Sequence, residues 1–350
     1  MQYSILGSSG LSVSRVCLGT MTWGQQNTQA DADSQLALAL AAGVNFIDTA
    51  EMYAIPPRPE TYGATEKIIG HWLSRNRNQR DKLVIATKIA GNGLSHIRDG
   101  SNVSPATLVQ AVEGSLQRLN TDYIDLYQLH WPNRRSPHFG RHAVNQIPFS
   151  NVDAKQQQDE ILAILQTLAK LVQQGKIRHC GLSNETPWGI SQYLKLSEQH
   201  NLPRMVSIQN EFGPLHTKDW PYLIEQCQHE NIAYLPWSPL AGGALTGKYL
   251  GGARPEGSRW SLVQRNGLFR DTPQSNAAIR AFVDLAAAHQ LSPTQLALAW
   301  VNQVDGVTST IIGATCDEQL NENLAAFDLE LHDDVLEEVG SFLREHPAPF

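Results

Sequence analysis

Short apolar runs alternate along this chain with longer stretches whose apolar residues recur every three or four positions. The runs fall at residues 15–18, 44–47, 83–86, 123–129, 177–180, 205–208, 232–235 and 310–312, eight in all. Each has the length and continuity of a strand covered on both faces. Between them the spacing predicts helices, among them 31–42, 65–74, 104–119, 159–173, 187–200 and 219–229. Leu108, Val112, Ser115, Leu116 and Leu119 share one helical face, and Ser104-Pro105 supplies an N-cap followed by proline at the first helical turn. Strand and helix in strict alternation imply parallel pairing through right-handed crossovers. Eight such units predict a closed (β/α)₈ barrel of the TIM type rather than an open doubly wound sheet. Residues 1–16 alternate around Gly7-Ser-Ser-Gly10 and predict a small hairpin plugging one end. Two long loops interrupt the rhythm, 131–152 after the fourth strand and 242–275 after the seventh. Loops of that length in a compact domain are usually functional.

In such a barrel the active groups come from the C-terminal ends of the strands. At those ends, directly after the apolar runs, stand Asp48, Lys88, His130, Ser183 with Asn184, Gln209 with Asn210, and Trp237 with Ser238. An acid, an amine, an imidazole and several amides therefore converge on one mouth.

Composition narrows the class. With 41% hydrophobic and 17% charged residues over 350 positions, the chain is neither disordered nor a coiled coil. No linker divides it, so residues 1–350 read as a single domain. Lys plus Arg number 27 against 34 for Asp plus Glu, and the net charge of −7 disfavours nucleic acid or an anionic membrane as partner. Cys17, Cys180, Cys227 and Cys316 form no CxxC pair and read as reduced thiols. Without a signal-like N-terminus or a long apolar run, a cytoplasmic setting is expected. Residues 242–248 match the Gly-x₄-Gly-Lys of a phosphate-binding loop, but Tyr249 stands where such a loop needs Ser or Thr. His138 and His142 lack the intervening Glu of a zinc-peptidase motif, and no metal is expected.

Taken in order, Asp48-Thr-Ala-Glu-Met-Tyr53, Lys88, His130, Gly181-Leu-Ser-Asn184, Trp237-Ser-Pro-Leu240, Leu245-Thr-Gly-Lys248 and Ile312-Gly-Ala-Thr315 resemble the aldo-keto reductase superfamily. The resemblance spans essentially the whole chain, and the long loop after Tyr53 is similar to the Tas-type bacterial branch. It implies an oxidoreductase that reduces aldehydes or ketones by hydride transfer. Tyr53 would be the general acid, Lys88 the charge that lowers the phenol pKa, Asp48 the partner of Lys88, and His130 a hydrogen-bond donor to the substrate oxygen. The family has glycine directly after its tyrosine, where this chain has Ala54. Tyr62-Gly63 carries the pair but lies 14 residues beyond Asp48 rather than 5, so Tyr53 is assigned.

The same resemblance implies an extended NADP(H) across the rim rather than a Rossmann site, for which no glycine fingerprint exists. Trp237 would stack on the nicotinamide, and Ser183, Asn184 and Gln209 would hold its carboxamide, with Thr20 beside them. Ser238, Pro239, Leu240, Gly242, Lys248 and Arg259 would wrap the pyrophosphate. Gly313, Thr315, Gln319, Glu322 and Asn323 would take the adenosine end at a helix N-terminus. Many members carry a basic residue where this chain has Thr315 or Gln319. Trp23 and Trp131, with Phe139 and Phe149, would wall the substrate site for a small carbonyl compound. Potassium-channel β subunits share this fold and the catalytic set, so a redox-sensing, dinucleotide-binding subunit is the alternative reading. The oligomeric state stays open.

Overall fold

All eight apolar runs are strands. The computed structural model describes residues 1–141, 143–262 and 268–350. Tyr3–Ile5 (β1) and Ser12–Ser14 (β2) make an antiparallel hairpin. The barrel strands are Val16–Gly19 (β3), Phe46–Asp48 (β4), Val84–Ile89 (β5), Ile124–Leu129 (β6), Ile177–Ser183 (β7), Met205–Glu211 (β8), Ala233–Trp237 (β9) and Thr310–Ile312 (β10). They pair in parallel in the order β10-β3-β4-β5-β6-β7-β8-β9. A parallel bridge between Tyr234 and Val307, with Thr308 N–H donating to the Tyr234 carbonyl at 3.0 Å, nearly closes the ring. Several strands run past the end of the expected apolar run, because the inward positions near the mouth are polar. Thus β5 extends through Lys88, β7 through Ser183 and β8 through Gln209.

The helices are Gln29–Ala41 (α1), Ala64–Arg75 (α2), Pro105–Leu119 (α3), Ala154–Gln173 (α4), Pro187–His200 (α5), Tyr222–His229 (α6), Pro273–Ala288 (α7), Pro293–Gln303 (α8), Asp317–Ala326 (α9) and Asp333–Glu345 (α10). Helices α3, α5, α7 and α8 share one start signal, a Ser or Thr N-cap followed by proline. Ser104, Thr186, Thr272 and Ser292 each accept from the backbone N–H three residues on. Helix α4 begins before the expected 159, on a polar Lys-Gln-Gln-Gln turn with no apolar face to signal it, capped by Asp153. The loop after β9 ends in an additional helix, α7, which packs on α10 through Phe282 and Phe342, rings 5.2 Å apart. Residues 263–267 of that loop, and His142, lie outside the described residues.

The hairpin closes the floor of the barrel. Leu6 and Val13 join Cys17, Phe46, Val84, Leu126 and Ile311 in one buried apolar layer. Gly7 sits at φ +51°, and a Cβ there would fall 2.2 Å from the Val206 carbonyl oxygen and 2.8 Å from that of Asn231. Gly7→Ala is therefore expected to cost about 2–4 kcal/mol through strain and forced separation of hairpin and barrel. Urea or thermal unfolding measures this, and a wild-type melting temperature would contradict the plug.

Candidate active site

Parallel strands bring their C-terminal ends to one mouth, and Lys88 is among the fully buried polar groups there. It has no exposed surface, and its Nζ donates to Asp48 Oδ2 at 2.6 Å and to the Thr49 carbonyl at 2.8 Å. Asp48 Oδ1 accepts from Gln209 Nε2 at 2.8 Å and from Gln128 Nε2 at 3.2 Å. A carboxylate given donors on both oxygens keeps the ammonium in place. Burial works against the Lys88 charge, but Asp48 and the neighbouring Tyr53 more than offset it, leaving its pKa above the ordinary value.

Tyr53, on the loop after β4, lies over this pair, with Lys88 Nζ 5.3 Å from its ring centroid. His130, just past β6, meets the Tyr53 ring edge-on at 5.7 Å. The other tyrosine considered, Tyr62, is elsewhere. Its hydroxyl donates to Glu51 at 3.2 Å, and its ring lies 5.2 Å from the Arg118 guanidinium. Tyr53 is thus the one of the two that shares the mouth with Asp48, Lys88 and His130. Burial pushes the Tyr53 phenol up and Lys88 pulls it back, with the balance above the ordinary value. The lowering by Lys88 expected from sequence is present but outweighed, so the phenol holds its proton through neutral pH. Burial, then the Lys88 charge, drives the His130 pKa well below its usual range, so its ring is neutral.

Around this centre runs a strip of groups fit to hold an elongated anionic ligand. Thr20, just past β3, donates its hydroxyl to the Asp48 carbonyl at 2.8 Å. Ser183 donates to the Gln209 carbonyl, and Asn184 to the His130 carbonyl at 2.9 Å. Ser238, Ala241, Gly242 and Gly243 all adopt positive φ, turning the backbone after β9 into a tight concave loop. Pro239 and Leu240 lie within it, and a Cβ on Gly242 would meet Arg259 at 3.4 Å. Asn184 Oδ1, Trp237 Nε1, Ser238 Oγ and Arg259 Nε are buried polar atoms without a hydrogen-bond partner among the described residues. Buried polar atoms of this kind need a partner, and hydroxyl and guanidinium donors with an amide acceptor fit a phosphate and a carboxamide. Burial, and then Arg270 nearby, pushes Arg259 down to about 10. Lys248 is exposed beside this loop, its Nζ over the Tyr249 ring.

At the far end Gly313 accepts from Asn323 Nδ2 at 3.2 Å. Thr315 donates its N–H and hydroxyl to Gln319 Oε1 at 3.0 and 3.1 Å, ahead of the α9 N-terminus. Glu322 is turned away, accepting from Ser292 at the α8 N-cap at 2.6 Å.

Aromatic rings wall the mouth. Trp131 meets His130 at 5.0 Å and Phe139 at 6.2 Å, and Phe139 stacks on Trp237 at 6.0 Å. Phe149 is largely exposed. Trp23 is not part of this wall. It is fully buried in the main core, its Nε1 donating to Gln35 of α1 at 2.9 Å, which corrects its expected substrate role. An indole just past a strand is placed to face the mouth, but Gln35 draws this one outward under α1.

Two participants escape the sequence reading. Gln128 is signalled only by being polar inside a mostly apolar run. Glu51 gives no signal, being one acidic residue in a loop. Among the described residues no cluster of three His, Cys, Asp or Glu is arranged to hold a metal ion.

With this geometry in view, comparison with known proteins is direct. A family model described as the aldo/keto reductase family matches residues 15–344. The chain is 43% identical over 354 residues to "Protein tas" of Escherichia coli (strain K12), covering 100% of both chains. It is 31% identical over 343 residues to "Uncharacterized oxidoreductase YrpG" of Bacillus subtilis (strain 168), covering 96% of this chain and 94% of that one. It is 40% identical over 259 residues to an "Aldo-keto reductase" of Babesia bovis, covering 69% and 88%.

Proposed function

The chain belongs to the aldo/keto reductase family and is an oxidoreductase, and from that premise we propose that it reduces aldehyde or ketone carbonyls to alcohols with NADPH. Members of the family generally use NAD(P)H. The observation that carries the proposal is a half-buried phenol set over a buried ammonium–carboxylate pair. When bound, the reduced dinucleotide supplies the hydride to the carbonyl carbon. Tyr53 gives its proton to the carbonyl oxygen as negative charge develops there. Lys88, fixed by Asp48, stabilises the phenolate that remains. Neutral His130 donates a hydrogen bond to the same oxygen and orients it, while Trp131 and Phe139 exclude water.

Ser183, Asn184 and Trp237 would hold the nicotinamide end, Ser238 and Arg259 the phosphates, and Thr315 and Asn323 the adenosine. The substrate is a small carbonyl compound, with neither nucleic acid nor membrane as partner. Among the described residues no helix is long and apolar enough to cross a membrane. Four free cysteines suit a cytoplasmic setting.

Absorbance of NADPH with 4-nitrobenzaldehyde, then with a panel of aldehydes and ketones, tests the reading. Turnover is expected, with a lower KM for NADPH than for NADH. Because His130 is already neutral, kcat should show no acid limb near its ordinary value of about 6.5. No oxidation across the panel, with slow dinucleotide release, would favour the redox-sensing subunit. Similar KM values for the two dinucleotides would overturn the NADPH preference alone.

A further inference from the structure

Backbone pairing between β4 and β5 continues a little beyond the strands. Thr49 N–H donates to the Ala86 carbonyl at 2.9 Å, and Glu51 N–H to the Lys88 carbonyl at 3.2 Å. There the backbone ladder ends. The next rung is made by a side chain, since the Ala90 N–H donates to Glu51 Oε1 at 2.7 Å. The Glu51 carboxylate has no exposed surface and is gripped by Arg98, whose two terminal nitrogens reach its two oxygens at 2.5 and 2.8 Å. Tyr62 OH donates to Oε2. Tyr62 in turn lies against Arg118, which pairs with the buried Glu66 at 2.6 Å, and Glu66 accepts from Thr87 of β5, also at 2.6 Å. A continuous polar chain from β5 through α2 and α3 thus ends, by way of Tyr62, on a residue two positions before Tyr53.

A buried carboxylate saturated by three donors costs desolvation and needs a reason beyond stability. What it joins is informative: one end is the loop that carries the phenol, the other is the segment just past Lys88. We propose that Glu51, held by Arg98 and Tyr62, is a positioning residue that sets the placement of the Tyr53 hydroxyl relative to the Lys88 ammonium. It touches neither substrate nor dinucleotide. It acts by preventing the 49–63 loop from sliding along the end of β5, and small displacements of an acid from its reacting partner are costly to rate. This inference rests on Tyr53 as the acid.

The groups facing Tyr53 are Asp48 from β4, Lys88 from β5, His130 beyond β6 and Arg259 from the loop after β9. Of these, Lys88 is the strongest that lowers the phenol pKa. A phenol drifting from Lys88 therefore titrates at higher pH. Glu51→Gln is expected to lower kcat about tenfold. The alkaline limb of kcat should move up by about half a unit or more, while KM for the carbonyl and NADPH affinity stay within about twofold. Tyr62→Phe removes one hydroxyl and keeps the carboxylate. It should shift both readouts in the same direction by a smaller amount, about threefold in kcat, and it decides the matter if Glu51→Gln fails to fold. A folded Glu51→Gln, or in its absence Tyr62→Phe, with a lowered melting temperature but unchanged kcat and pH profile would overturn the proposal. Tyr53→Phe assayed alongside separates the two claims. If it is inactive while the Glu51 variant is unaffected, this proposal alone falls; if it is active, the acid assignment falls first.

Discussion

Tyr53→Phe is expected to lower kcat for carbonyl reduction by about 10²–10⁴, the range a positioned general acid contributes. Substrate KM and dinucleotide affinity should change little, because the ring remains and only the hydroxyl is lost. The phenol is the group at the mouth that combines a transferable proton with a buried cation beneath it. His130 is neutral, and Lys88 is committed to Asp48 and the Thr49 carbonyl. Tyr62→Phe should cost only the few-fold effect expected of a hydroxyl that holds Glu51. Steady-state kinetics on both variants measures this. Near-normal turnover in Tyr53→Phe with a dead Tyr62→Phe would move the acid to the second tyrosine.

Lys88→Met should lower activity by at least about 10² and also destabilise the fold by about 3–5 kcal/mol, since it leaves a buried carboxylate without its counter-ion. Asp48 is 3% exposed and would retain only the amide donors of Gln128 and Gln209. The pH dependence has a definite sign. Asp48 and Tyr53 outweigh burial and raise the wild-type Lys88 pKa, so the stabilisation from the buried ammonium is complete below about pH 10.4 and is lost as pH rises through the folded value. Pairing Lys88→Met with Asp48→Asn should recover much of the stability and none of the activity. Thermal melts across pH test this, and a Lys88→Met protein as stable as wild type at pH 7 would contradict the buried pair.

Alternation of apolar runs with amphipathic stretches is enough to read the barrel, because a parallel strand buried on both faces has to be continuously apolar. The same logic hides the strand ends. Lys88, Ser183 and Gln209 belong to strands yet face the mouth, so apolarity stops before the strand does. Helix α4 reads short because its first turn is held by a cap and good helix formers rather than by an apolar face. Asp48, Lys88 and His130 are legible from position at strand ends, whereas Tyr53, in a loop, is legible only through the resemblance of the Asp48-Thr-Ala-Glu-Met-Tyr53 segment to the family. Glu51 is not, since its meaning depends on Arg98, which is 47 residues away in sequence. Trp23 misleads because a bulky residue beyond a strand can turn toward the mouth or toward the helix layer, and only its bond to Gln35 decides.

The hairpin floor has a consequence for how the phenol is reloaded. Beneath Asp48 and Lys88 lies the apolar layer of Leu6, Val13, Cys17, Phe46, Val84 and Leu126, sealed by the Gly7 turn. Such an apolar layer is a poor relay for a proton. Under the proposed mechanism, each proton that Tyr53 gave up would be replenished from the rim, past His130, by the same path the alcohol would take to leave. Recharging the acid and vacating the mouth would then be successive uses of one passage, with the cycle closing only once the product had gone.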